Sequence, residues 1–335
     1  MSRLPLTALA CALTALLTQP CTAQNIRAGI IGLDTSHSVA FTKMLNATTP
    51  QPPELMGVRV VAAVAEGSKD IESSTKRVPE LTAQVQEHGV KIVPSIDEML
   101  DLVDVVFLES NDGRPHLEQL LPCLAAGKPT FIDKPIAGSL ADALRIFDAA
   151  EKARVPVFSS SSLRFGTKTQ EVRKGSIGKV QTADTRSPAS LEPTHPDLFW
   201  YGIHGVESLF TTMGTGCLSV KRGTTDDGKI EVVGTWEGGR TGTFRESSDA
   251  RKGYGGTATS VDGKTSEVGG FDGYQPLLHQ IVHFFRTGVV PVSAAETLEI
   301  YAFMEAADES KRRNGAEVTL AEVMEKARAE IAKTP

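Results

Sequence analysis

Three short segments bring together residue types that can do chemistry. The first is Gly32-Leu33-Asp34-Thr35-Ser36-His37, where a glycine, an acid, two hydroxyls and an imidazole follow an apolar run. A strand entering a helix through such a turn can seat a dinucleotide diphosphate on free N–H groups and the positive helix end. The full fingerprint would read G-x-G-x-x-G from Gly32, but Asp34 stands at its second glycine and His37 at its third. An acid facing a phosphate costs on the order of 4 kcal/mol at contact distance in a protein-like dielectric. Either Thr35, Ser36 and His37 offset this by donating hydrogen bonds, or the phosphates shift, or the cofactor is lost; alternatively, Asp34 only caps the helix. The second segment is Glu66-Gly67-Ser68-Lys69. An acid ending the second strand binds adenine-ribose hydroxyls, as NAD requires, whereas Ser68 and Lys69 would suit the ribose phosphate of NADP. Glu66 tips the expectation to NAD, with an exposed loop acid as the other reading. The third is Asp133-Lys134-Pro135. A lysine at the carboxyl end of a central strand points into the ligand crevice, where it can polarise a hydroxyl or carbonyl and relay a proton.

The elements that must hold these segments are short and alternate. Apolar runs at 27–32, 58–65, 92–93, 105–108, 129–132 and 155–158 read as buried strands. Between them, 36–46, 95–102, 115–126 and 139–153 read as helices; Thr35 or Ser36 caps the first, Ser95 and Glu98 form a capping box, and Gly127 ends the third. This alternation predicts a Rossmann-type, doubly wound parallel sheet. The pattern stops within Ser159-Ser160-Ser161-Ser162. Runs at 179–186, 230–236 and 240–245 then read as antiparallel strands with turns at Asp226-Asp227-Gly228 and Asp262-Gly263, and helices return at 276–286, 294–313 and 320–332. The expected architecture is α/β throughout: a Rossmann domain over 24–160, then an α/β domain with a large, open, mainly antiparallel sheet over 161–335.

Several segments, taken together, resemble the glucose-fructose oxidoreductase/inositol dehydrogenase/MocA family. Gly127-Lys-Pro-Thr-Phe-Ile-Asp133-Lys134-Pro135-Ile-Ala is similar to its G-K-H-V-x-x-E-K-P-x-A segment, and Asn111 through His116 to its P-N-x-x-H region. Leu163-Arg164-Phe165, Lys174 through Val180, Gly202-Ile-His204 and Val292 through Glu296 resemble later family segments in the same order. The resemblance implies a nicotinamide nucleotide, NAD or NADP, and hydride transfer to or from a carbon of a sugar, cyclitol or related polyol. It implies that His204 is general acid/base with Lys134 assisting, and that Gly32, Asp34, Thr35, Ser36, His37, Glu66, Asn111, His116, Asp133 and Lys134 lie along the cofactor. The family's acid four residues before His204 is replaced by Trp200, for which Asp197 or His195 would substitute, and Tyr201 adds a proton-bearing group. Arg164, Asp197 and Tyr201 are expected at the substrate, as are Arg186, Tyr254 and His279. Family members associate as dimers or tetramers through the open face of the second sheet.

Composition narrows the field from another side. The chain has 335 residues, 40% hydrophobic and 23% charged, with a net charge of -6. A nucleic-acid partner would call for basic surface, and 13 Phe, 4 Tyr and 2 Trp do not suggest a base-stacking platform. Residues 1–23 carry Arg3, an apolar stretch from Leu4 to Leu17, and small residues at Cys21 and Ala23. This reads as an export signal cleaved after Ala23, giving a periplasmic or extracellular protein without a membrane partner. Cys11 and Cys21 leave with it; Cys123 and Cys217 form no disulfide framework and no metal-ligand spacing is present. Export removes the supply of diffusing NAD, so a tightly held, internally recycled cofactor is the form that fits. A cofactor-free lyase or hydrolase and a carbohydrate-binding protein on the same scaffold remain the alternatives.

Overall fold

A computed structural model describes residues 25–49, 51–249 and 253–333. The signal-like segment and Cys11 and Cys21 lie outside the described residues. In chain order the first half comprises β1 (Ile26–Ile31), α1 (Ser36–Leu45), β2 (Val58–Val64), α2 (Glu72–Glu87), β3 (Lys91–Val93), α3 (Ile96–Leu100), β4 (Val105–Leu108), α4 (His116–Ala125), β5 (Thr130–Ile132), α5 (Leu140–Ala153) and β6 (Val157–Ser159). After a 3-10 turn at Ser162–Phe165 come α6 (Thr167–Arg173), β7 (Val180–Ser187), and a π turn at Leu198–Gly202 that runs into α7 (Ile203–Met213). Then follow β8 (Cys217–Thr224), β9 (Ile230–Trp236), β10 (Arg240–Glu246), β11 (Gly255–Ser260), β12 (Thr265–Glu267), α8 (Gln275–Thr287), α9 (Ala294–Arg312), β13 (Val318–Thr319) and α10 (Leu320–Lys333).

The first sheet is parallel in the order β3-β2-β1-β4-β5-β6, the Rossmann arrangement. Its strands are short apolar runs buried on both faces, as β4 shows by having all four residues buried. Helices α3, α4 and α5 cover one face, through residues such as Met99, Leu120, Leu124, Leu144 and Phe147. Helix α1 and Val85 of α2 cover the other face. The β4–β6 half of that second face has no crossover helix of its own and is closed from far along the chain by α8. Phe285 meets Phe107 at 5.0 Å and Phe284 meets Phe158 at 5.0 Å, both edge to face.

The second sheet has seven strands in the order β12-β11-β7-β10-β9-β8-β13. It is mainly antiparallel, as the sequence suggests, with one parallel pairing: β10 runs antiparallel to β9 but parallel to β7. The chain between β7 and β9 leaves the sheet through α7 and returns, which reverses the direction in which β10 can meet β7. Helices α7 and α9 cover one face, with Phe210, Phe303 and Trp236 stacked between helix and sheet. One continuous apolar cluster joins this layer to the α5 face of the first sheet. Tyr301 on α9 locks the junction by accepting a hydrogen bond from Ile136 N–H at 2.6 Å. No helix of the described residues is long and apolar enough to cross a membrane.

Candidate active site

The carboxyl edge of a parallel sheet collects the residues that follow each strand. His37 comes from the first turn of α1, Glu109 follows β4, and Asp133 and Lys134 follow β5. The His37 Nδ1–H donates to Asp133 Oδ2 at 3.0 Å, and Glu109 Oε2 lies 3.9 Å from the same nitrogen. All three are buried, and Lys134 is only 6% exposed. Burial, then Asp133, pushes the Glu109 carboxyl well above the usual carboxylate range. Burial also works against ionised Asp133, but His37 and Lys134 outweigh it and hold that carboxyl low. Glu109 was not among the residues the sequence singled out; an acid placed directly after four buried apolar residues was the available signal.

Asp34 does not sit as expected. Thr35, not Asp34, caps α1, its Oγ1 accepting from His37 N–H. The Asp34 carboxylate is fully buried and turned sideways, accepting from Asn111 N–H at 2.9 Å and Ser74 Oγ–H at 2.6 Å. It thus ties the β1 turn to α2 and to the segment after β4. Burial raises its carboxyl, against the two donated bonds. Gly32, at φ +90°, permits that packing, because a Cβ there would strike the backbone of Ser110.

Beside this tie lies a cavity of 750 Å³ lined by Glu66, Ser68, Lys69, Ser110, Arg114 and Gln119, among others. Its size is within the range of about 300–1,000 Å³ typical of small-molecule sites. Asp34 does not line it. The residues present therefore fit the adenosine half of a dinucleotide, with Glu66 at the end of β2 in place for ribose hydroxyls. His116 is not in that position. It is fully buried, its Nδ1 facing Ile136 O at 3.1 Å and Nε2 facing Ser110 O at 2.8 Å. It fastens the loop after β4 to the loop after β5 and has no free edge for a cofactor.

His204, in the first turn of α7, is 6% exposed with Nδ1 2.7 Å from Ser161 Oγ. Its ring meets the edges of Tyr201 at 5.0 Å and Tyr254 at 6.2 Å, and the two tyrosine hydroxyls are 3.1 Å apart. Burial, then the charges of Lys134 and His37, push this imidazole well below its usual value, so it is neutral at neutral pH. The Ser161 contact brings the start of α7 to the segment that follows β6, at the carboxyl edge of the first sheet.

Three other expectations are corrected. Arg164 is 2% exposed and ion-paired to Glu207 at 2.5 Å and Glu296 at 2.7 Å. It braces α7 against α9 through Nε and Nη1, and among the described residues only the buried Nη2 of its guanidinium lacks a partner. Asp197 is held by Arg222 at 2.5 Å and Lys311 at 2.7 Å, so its carboxylate faces α9. His195 Nε2 is 3.1 Å from Asp112 Oδ1, and its ring lies on Trp200. Neither Asp197 nor His195 therefore replaces the acid behind His204; the group at His204 Nδ1 is the Ser161 hydroxyl. Burial works against ionised Asp112, but donors from His195, Arg114 and Ser68 outweigh it and hold its carboxyl far below the usual range.

A six-stranded parallel sheet in Rossmann order, with a 750 Å³ cavity beside the β1 turn and buried Lys134 and His204 near its carboxyl edge, defines a doubly wound class of α/β protein. Residues 26–161 match the GFO_IDH_MocA model, an oxidoreductase family with an NAD-binding Rossmann fold. Inositol 2-dehydrogenase of Klebsiella pneumoniae (strain 342) is 30% identical over 132 residues, which are 38% of this chain and 34% of that protein. The chain thus spans about a third of the length of the curated relatives it matches. Over nearly the whole chain the fold is that of a probable dehydrogenase from Thermotoga maritima (TM-score 0.70, 19% identity, 89% of this chain and 100% of that one). It is also that of scyllo-inositol dehydrogenase from Lactobacillus casei, solved with NAD(H) and scyllo-inositol (TM-score 0.68, 16% identity, 89% and 100%).

Proposed function

We propose that the chain is an NAD(P)-dependent oxidoreductase that moves a hydride to or from a carbinol carbon of a polyol, with cyclitols the first substrates to test. The observation that carries this reading is that buried Lys134, just after β5, and buried His204, bonded to Ser161 just after β6, both stand at the carboxyl edge of the Rossmann sheet. When bound, the nicotinamide supplies the hydride acceptor. With its Nδ1 proton donated to Ser161 Oγ, His204 presents a lone pair on Nε2 to take the substrate hydroxyl proton. The Lys134 ammonium stabilises the negative charge that gathers on the same oxygen in a site sheltered from water. Tyr201 and Tyr254 offer hydroxyls beside His204 for the neighbouring substrate oxygens. Glu66 takes the ribose hydroxyls, which favours NAD over NADP. The inositol dehydrogenases among the similar proteins support the polyol class.

The signal-like residues 1–23 make export part of this proposal, and with it a cofactor that stays bound and is reduced and reoxidised in one cycle. Mass spectrometry of gently purified full-length protein tests both. Released NAD at close to one per chain is the expected result. Protein that carries no nucleotide, binds neither NAD nor NADP in titration and turns over no cyclitol or sugar overturns the reading in favour of a cofactor-free enzyme or a binding protein.

A further inference from the structure

His37, Glu109 and Asp133 are far apart in sequence, yet their ligand atoms all lie within 4.8 Å of one another. Among the described residues, neither oxygen of fully buried Glu109 has a hydrogen-bond partner, and Asp133 Oδ1 lacks one as well. Buried carboxylate oxygens are ordinarily satisfied, and three unsatisfied ones on two carboxylates that share one imidazole neighbour call for a ligand. That ligand must be positive. Two carboxylates face the single ammonium of Lys134, with Asp34 adding a more distant negative charge.

We infer that His37 Nδ1, Glu109 and Asp133 form a binding site for a first-row divalent metal ion of the Zn²⁺ or Mn²⁺ kind, the ion displacing the Nδ1 proton to solvent as it binds. One imidazole nitrogen with two carboxylates is a borderline donor set that suits these ions. Ca²⁺ would want six or more oxygens at longer range. Donors around a tetrahedral ion of this size stand about 3.4 Å apart. The separations from His37 Nδ1, 3.0 and 3.9 Å, bracket that spacing, and the two carboxylates lie within 4.8 Å of each other. Each ligand is carried by a different fixed element, α1, β4 and β5, so the cluster is held without the ion. Three protein ligands leave coordination open for a further ligand. The site stands on these residues alone and does not depend on the oxidoreductase reading.

Full-length protein stripped of metal and titrated calorimetrically with Zn²⁺ and, separately, Mn²⁺ should show one saturable site per chain and a raised melting temperature. Loss of an outer-shell partner alone weakens metal sites about 10–100-fold, so loss of a ligand should cost at least that. Glu109→Gln and Asp133→Asn, both isosteric, should therefore lower affinity by about tenfold or more while the metal-free protein keeps its circular dichroism. Should either variant fail to fold, electron paramagnetic resonance of the Mn²⁺ complex of the parent and of His37→Gln replaces it; nitrogen coupling present in the parent and lost in the variant supports the site. Absence of a saturable site for both ions, undiminished binding in the folded variants, or a Mn²⁺ spectrum that His37→Gln leaves unchanged overturns it.

Discussion

His204 reaches the crevice uncharged because burial, Lys134 and His37 all act against its protonated form. His204→Gln keeps the size and a polar atom but loses the titrating lone pair. It should lower kcat by about 10²–10⁴-fold with little change in KM, as measured in steady-state kinetics on the active substrate. The same depression has a sign in stability. A histidine whose folded value lies below its unfolded one contributes stability fully above the unfolded value, and that stability is lost as pH falls towards the folded value. Urea midpoints should therefore drop as pH is lowered from neutrality, by less in His204→Gln than in the parent. The sequence made Lys134 legible from its place after a strand, and His204 only through family resemblance. Asp34, Arg164 and Asp197 were misread for one reason: a charged side chain near a site looks available until its partners are seen, and Ser74, Glu207 and Arg222 lie many residues away.

At the scale of elements, the strands of the first sheet were visible because parallel strands buried on both faces are unbroken apolar runs. Helix α2 was not visible. It carries Pro79 and buries only Ser74 and Val85, so it has almost no apolar period. The strands β8, β11, β12 and β13 escaped for a related reason, since the sheet is covered on one face only and these strands hold many small or polar residues. The overlooked helix matters to the site because Ser74 is one of the two donors that satisfy buried Asp34. Ser74→Ala leaves a carboxylate oxygen short of a partner and should cost about 1–3 kcal/mol in chemical denaturation. Thr35→Ala, which removes only the α1 cap, should cost about 1 kcal/mol in the same measurement. A Ser74→Ala loss no larger than that of Thr35→Ala would mean that Asp34 finds another donor.

At the scale of the molecule, the expected division at residue 160 describes the sheets better than the packing. Helix α8, from late in the chain, completes the first sheet's far face, and one apolar cluster runs from α5 into the second sheet. A fragment ending at residue 161 would lose Leu277, Leu278, Ile281, Phe284 and Phe285 from its core and should not fold cooperatively, as read by circular dichroism and melting. Phe284→Ala should cost about 3–5 kcal/mol and lower the melting of both sheets together, in a single calorimetric transition. Two separate transitions would show that the sheets are independent. The returning helix also bears on how a ligand gets in. Tyr274, next to its first residue, touches Ser36 at 3.3 Å and stands over His37. The wall that bounds the crevice from the second half of the chain is thus fastened to the floor supplied by the first. Such a cleft behaves as a rigid slot rather than a pair of jaws, so guests must be threaded past its rim instead of being clasped by a swinging lobe.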